Sequence, residues 1–176
     1  MSSAYDIKKR IRSVSSTAEL TRAMYLISTS RIRRAMLMYQ SNRMYSDHAR
    51  QAIKHILSHM PDYSHKYLKR TRREDGAVCF VVIASDRGMA GGYNHDVCAA
   101  ALEAMRARRG RVTLITVGAM AAEFFRREGI KTDYEYRDIL DPPTISAARR
   151  IMESITERME AGSIDEAMVV YTHMIN

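Results

Sequence analysis

The sequence predicts an α/β protein in two parts: a long N-terminal helix able to form a coiled coil, then a small α/β domain with a mostly parallel sheet. Three observations lead there. No proline occurs before Pro61 and no glycine before Gly76. Over that stretch uncharged residues recur in alternating steps of four and three: Ile7, Ile11, Val14, Ala18, Thr21, Tyr25, Ser28, Ile32, Ala35, Tyr39, Asn42, Ser46, Ala49, Ile53 and Ile56. From Ala77 onward the periodicity changes, and short β-branched runs alternate with helical patterns.

The first part is one helix because nothing breaks it. A seam repeating every 3.5 residues marks a helix that supercoils against a partner. Charged residues crowd its other faces and none falls on the seam. At about 1.5 Å per residue the helix reaches roughly 80 Å. That is too long for the rest of a 176-residue chain to cover. The middle of the seam is small or polar (Ala18, Thr21, Ser28, Ala35), so a partner backbone can come close there. The competing reading is an ordinary long helix divided by a kink. We place this shaft helix at residues 1–62, ending where Pro61 disfavours continuation, and a basic linker at 63–76 with Lys66, Lys69, Arg70, Arg72 and Arg73.

The α/β domain occupies 77–176. Ala77 to Ala84 is a continuous apolar run, as expected of a parallel strand buried on both faces. A glycine-rich loop, Ser85 to Asn94, follows it, then a helix from about His95 to Arg109 that Gly110 stops. Arg111 to Val117 is a second buried strand. Ala119 to Glu128 is a short helix ended by Gly129. Lys131 to Arg137 alternates like an edge strand. Asp141 to Thr144 is a turn, and Thr144 or Ser146 caps the next helix. That helix carries Ile145, Ala148, Ile151, Met152, Ile155 and Met159 at core spacing and ends near Gly162; Ala167 to Met174 is the last strand. Strands alternating with helices in this way give a Rossmann-like sandwich.

Composition narrows the function. The hydrophobic fraction of 46% supports a real core. The net charge of +8 is unevenly spread: residues 1–75 hold 16 Lys and Arg against 6 Asp and Glu, and the remainder 12 against 14. A basic rod therefore joins a near-neutral domain, and its charge suits an acidic protein surface, acidic lipid or nucleic acid. Cys79 and Cys98 lack CxxC spacing, which predicts buried free thiols in a reducing compartment. No secretion signal is visible, and Asp6 and Glu19 argue against a mitochondrial presequence. The longest apolar run is too short to cross a bilayer, so any membrane association is peripheral.

Chemistry is sparse. GMAGGYN is neither GxGxxG nor GxxxxGK[ST], which weighs against a nucleotide site. Gly88, Gly91 and Gly92 are expected to supply positive φ angles in a tight turn where Asp86 and Arg87 pair. His55 and His59 stand at i, i+4 with no third ligand, so they read as surface histidines rather than a metal site. No nucleophile, base and orienting acid fall together, and no catalytic residue, cofactor or metal is assigned. The 13 methionines read as core and interface filler.

Two segments carry a family resemblance. One is Ile7-Lys8-Lys9-Arg10-Ile11-Arg12-Ser13-Val14, continuing through Thr17 and Thr21-Arg22-Ala23-Met24 to Ser30-Arg31-Ile32-Arg33-Arg34-Ala35. The other is Ser85-Asp86-Arg87-Gly88-Met89-Ala90-Gly91-Gly92-Tyr93-Asn94. Both resemble the gamma subunits of F-type ATP synthases, with Met89 and Ala90 where Leu and Cys are usual. Tyr25 to Thr29 also departs from the common wording. The resemblance implies a central-stalk rotor coupling proton flow to ATP synthesis or hydrolysis. In that family the N-terminal helix pairs antiparallel with a C-terminal helix inside a ring of alpha and beta subunits. The α/β domain meets the epsilon subunit and the membrane c-ring. The complex sits on the ATP-synthesising face of a bacterial plasma membrane or the mitochondrial inner membrane. ATP chemistry belongs to beta, so this chain is expected to have no active site of its own.

The resemblance nominates Lys8, Lys9, Arg10, Arg12, Arg31, Arg33 and Arg34 to meet acidic ring surfaces, with Met24 and Ile27 as an apolar contact. The loop motif carries Ser85, Asp86, Arg87, Gly88, Gly91, Gly92 and Asn94. The family's C-terminal shaft helix is missing from this sequence, which predicts a seam that self-associates or leaves the rod partly disordered. The alternatives are a nucleotide-binding α/β enzyme domain and a basic coiled-coil protein that binds nucleic acid. Few aromatics are placed for base stacking, and no nucleic-acid partner is expected.

Overall fold

The computed structural model describes residues 3–60, 65 and 75–174. Most of the stretch read as a linker, 63–76, lies outside the described residues. The chain divides into two compact units, Met1–Lys66 and Tyr67–Asn176.

The first unit is a single helix, α1 (Ala4–His59), of 56 residues. Its start is a capping box. The Ser3 side chain accepts from Tyr5 N at 3.3 Å, and Ser3 N donates to Asp6 Oδ2 at 3.2 Å. Asp6 also places a carboxylate at the positive end of the helix dipole. The end is set by Pro61. Met60 makes the last helical bond, its N–H to Ile56 O at 3.0 Å, and already leaves helical geometry. The threonines are satisfied internally: Thr17, Thr21 and Thr29 donate to the carbonyls four residues earlier at 2.8–2.9 Å. No residue of α1 is buried.

The second unit is a four-stranded, all-parallel sheet in the order β3-β2-β1-β4. Its elements are β1 (Val78–Ile83), α2 (Tyr93–Arg106), β2 (Val112–Val117), α3 (Ala119–Arg127), β3 (Tyr134–Tyr136), α4 (Ile145–Glu160) and β4 (Glu166–Val170). β1 lies inside the sheet and is buried on both faces, as its continuous apolar run requires. Val78, Phe80 and Val82 face one core with Val97, Cys98, Ala101 and Leu102 of α2 and Phe125 of α3. Cys79 and Val81 face the other with Ile115, Ile155 of α4 and Ile164. The sheet is thus covered on both sides.

Several boundaries differ from expectation, each for a local reason. The helix expected over His95–Arg109 runs from Tyr93 to Arg106, and Gly110 is not its stop. A Cβ at Gly110 would lie 2.3 Å from Gly76 O, so this glycine lets two backbones touch. β3 is confined to three edge residues because Asp133 is occupied with Leu114. Leu114 N donates to Asp133 Oδ2 and Asp133 N to Leu114 O, both at 2.8 Å. β4 ends at Val170, paired with Val82, beyond which β1 offers almost no further length. In α4, Thr144 is the cap, accepting from Ala147 N at 3.2 Å. Ile145, Ala148 and Met152 are exposed there rather than core. The helix instead rests on the i, i+4 row of Ala147, Ile151, Ile155 and Met159, which a narrow contact satisfies.

Both cysteines are buried and free. Burial pushes the Cys98 thiol from its ordinary 9.0 up to about 11, because a thiolate is poorly solvated in the core. Cys79 is raised for the same reason. The folded chain holds these protons more tightly than the unfolded chain. This contribution to stability is therefore complete below pH 9 and declines as pH rises toward 11. At pH 8 neither thiol should react with iodoacetamide until urea unfolds the domain. Rapid native labelling followed by mass spectrometry would refute this.

Candidate functional site

The surface available for function divides between α1 and the loop that follows β1. On α1 the seam is exposed except at Tyr39 and Ala49, which are half-buried: Ile11 and Val14 are 63% and 62% accessible, and Ile32 61%. For apolar side chains this leaves unclaimed the burial that stabilises a long helix. Around Ala18 and Thr21 the seam dips into a shallow depression walled by Val14, Arg22 and Tyr25. A neighbouring backbone would fit closest there.

The nominated basic residues do not converge. Lys8, Lys9, Arg10 and Arg12 surround the first turns of α1, and Arg31, Arg33 and Arg34 its middle. Neighbours in sequence point 100° apart around a helix, so these charges coat the rod instead of building one pocket. Met24 and Ile27 are exposed beside the seam. His55 and His59 stack with ring centroids 4.1 Å apart, and His59 Nδ1 lies 2.9 Å from His55 O. Among the described residues no cluster of three metal-ligating groups exists.

The loop Ser85–Gly92 opens onto α2, where a phosphate would sit if this were a nucleotide site. That place is already faced by a carboxylate. A Cβ on Gly92, the α2 N-cap, would come within 3.0 Å of Asp96 Oδ2. The helix dipole is thus partnered by the chain's own negative charge, which would repel a phosphate.

The family model described as ATP synthase matches residues 3–176. The ATP synthase gamma chain of Alkaliphilus metalliredigens is 34% identical over 171 residues, covering 97% of this chain and 58% of that one. The gamma chain of Pelotomaculum thermopropionicum is 32% identical over 176 residues, covering 100% and 61%. This chain belongs to the ATP synthase gamma-chain family. It spans about three-fifths of the length of these curated relatives. A rotor structure of Euglena gracilis mitochondrial ATP synthase covers 70% of this chain and 48% of its own at a TM-score of 0.44 and 14% identity, a likeness too loose to carry an argument.

For a gamma-chain family member the loop motif acquires a physical account. Asn94 is buried, and its Oδ1 accepts from Ser85 N and lies equally close to Ser85 Oγ, both at 2.9 Å. This ties the end of β1 to the start of α2. Asp86, expected to pair with Arg87 in the turn, is engaged elsewhere. Its Oδ1 accepts from Ala119 N at 3.0 Å and Asp138 N at 3.1 Å, pinning the start of α3 and the exit of β3. Positive φ falls on Met89 (59°) and Gly91 (57°), while Gly88 and Gly92 do without it. Met89 stands 91% exposed at the tip.

Both bonds to Asp86 use one oxygen, so the substitutions Asp86→Asn and Asp86→Ala should separate. Asn keeps a carbonyl acceptor and should cost about 1 kcal/mol, whereas Ala strands two backbone N–H groups and should cost about 2–3 kcal/mol. Urea denaturation followed by tyrosine fluorescence reads both. Equal losses would mean that the charge, not the acceptor, matters.

Proposed function

We propose that this chain acts as a central-stalk rotor subunit of an F-type ATP synthase, coupling proton flow through the membrane sector to ATP synthesis or hydrolysis in the alpha/beta ring. One observation carries the reading: a continuous 56-residue helix of which no residue is buried, in a chain of the gamma family. Such a helix is a stiff element waiting for neighbours. In this reading α1 bears torque inside the ring. The α/β unit is the handle that meets the epsilon subunit and the c-ring at the ATP-synthesising face of the membrane. In this reading attachment to the membrane sector runs through those partners; among the described residues no helix is long and apolar enough to cross a membrane. ATP chemistry stays with the ring, since the positive end of α2 is faced by Asp96.

The test is capture of alpha and beta subunits by the chain, with and without an added helical peptide that fits the seam. Capture that requires the peptide, or is strengthened by it, supports the axle; no capture in either case refutes it. Within a captured complex, the double charge reversal Arg33→Glu/Arg34→Glu should reduce ring-coupled ATP hydrolysis about tenfold, as expected when charges meeting an acidic surface change sign. Unchanged coupling would remove both arginines from the mechanism.

A further inference from the structure

The residues bordering the seam of α1 say what kind of helix can lie against it. Six bordering positions are basic: Arg10 and Arg31, just before Ile11 and Ile32, and Lys8, Arg22, Arg43 and Arg50, just after Ile7, Thr21, Asn42 and Ala49. None is acidic. The three acids of α1 also adjoin seam residues in sequence, Asp6 before Ile7, Glu19 after Ala18 and Asp47 after Ser46. At 100° per residue, however, they lie about 130° from the seam's midline, against about 70–90° for the six basic residues. Within Ala4–His59 there are 11 basic and 3 acidic residues, a net of +8. Arg43 is partly answered within the helix, with Asp47 Oδ2 3.8 Å from its Nε, and Arg31 is engaged as well.

We propose that α1 is keyed by these borders to a helix carrying carboxylates along its own seam edges, and against a second copy of itself. The proposal rests on the axle reading and adds the chemistry of the partner. In paired helices the bordering positions face one another and set partner choice. A second copy offers no acid at any border, so no register, parallel or antiparallel, gives an attractive pair across the seam. Two rods of net +8 also repel along their length. The seam supplies the apolar contact to either partner, and its shallow depression at Ala18 and Thr21 admits either backbone. The charge decides between them.

Salt then acts with opposite signs on the two associations. Added salt screens repulsion between copies and strengthens self-association, while it screens attraction and weakens binding of an acid-edged helix.

The experiment uses the full chain and two synthetic helical peptides of about four heptads with the same Leu and Ala seam. One has Glu and the other Lys at its seam borders. At about 50 mM salt the Glu peptide should bind at least about tenfold tighter than the Lys peptide, and the gap should close near 500 mM. Sedimentation of the chain alone should show association rising over the same range. The variant Arg22→Glu/Arg50→Glu should move the preference toward the Lys peptide. Equal binding of both peptides, no binding of either, or a variant with unaltered preference would each overturn the proposal. So would self-association that weakens with salt. Ring capture with unaltered peptide preference would leave the rotor reading standing and remove only the charge key; loss of ring capture with the preference intact would do the reverse.

Discussion

Replacing Gly118 with alanine should cost the α/β unit about 3–5 kcal/mol, enough to unfold much of the population of a marginally stable domain. Gly118 sits between β2 and α3 with φ +95°, a region that a residue with a Cβ avoids. A Cβ there would lie 2.3 Å from Ala84 O and 2.9 Å from Ser85 O. Neither backbone can retreat cheaply. Gly118 N donates to Tyr136 O at 2.8 Å, Ala84 N to Val117 O at 2.9 Å, and Met120 N to Ser85 O at 3.0 Å. Relief of the clash would break bonds that join β1, β2, β3 and α3. Gly129 provides the control. Its φ is +72°, yet nothing lies within 4 Å of a Cβ built on it, so Gly129→Ala should cost only about 1 kcal/mol of backbone strain. Urea titration of both variants, monitored by near-ultraviolet dichroism of the domain, separates clash from strain. Equal losses would show that the close approach at Gly118 relaxes freely.

The difference between these two glycines marks what the sequence can and cannot disclose. α1 was legible because its evidence is local: no Pro or Gly interrupts it, and its seam repeats for seven heptads. β1 was legible because Val78 to Ile83 is a short run rich in β-branched residues and without a polar one, the pattern of a strand covered on both faces. Contacts distant in sequence left no such trace. Gly110 resembles a helix stop until residue 76 is seen lying against it. Asp86 looks like turn chemistry until Ala119 and Asp138, 33 and 52 residues away, donate to it. Asp165 likewise binds Ala77 N at 2.8 Å across 88 residues. All three are backbone appointments kept by a single atom, and no periodicity announces them. The two ends of β4 fail for a related reason, since strand length is fixed by the neighbour β1 and not by the strand's own residues.

An aspartate at Ile32 should leave the isolated chain nearly unchanged and abolish its assembly. Ile32 is 61% exposed at the middle of the seam, and no residue of α1 is buried. Alone, Ile32→Asp loses only helix propensity, a few tenths of a kcal/mol, with no core contact to forfeit. In a shaft the same position meets a partner helix. The carboxylate would then be desolvated at an apolar layer without a counter-charge on the seam, at a cost of several kcal/mol. That corresponds to at least about a hundredfold loss of affinity. Gln51→Asp, on the face opposite the seam, tests whether added negative charge alone is responsible, since it should spare both properties. Far-ultraviolet dichroism reads the helix, and ring capture reads assembly. If Ile32→Asp assembles as well as the parent chain, the seam is solvated in the working complex and α1 turns without a helical mate. If instead the isolated chain loses its helicity, the seam already supports the rod on its own, and the exposure of Ile32 would misrepresent its role. Loss of assembly with helicity intact is the outcome that a helix built to be covered by another molecule requires.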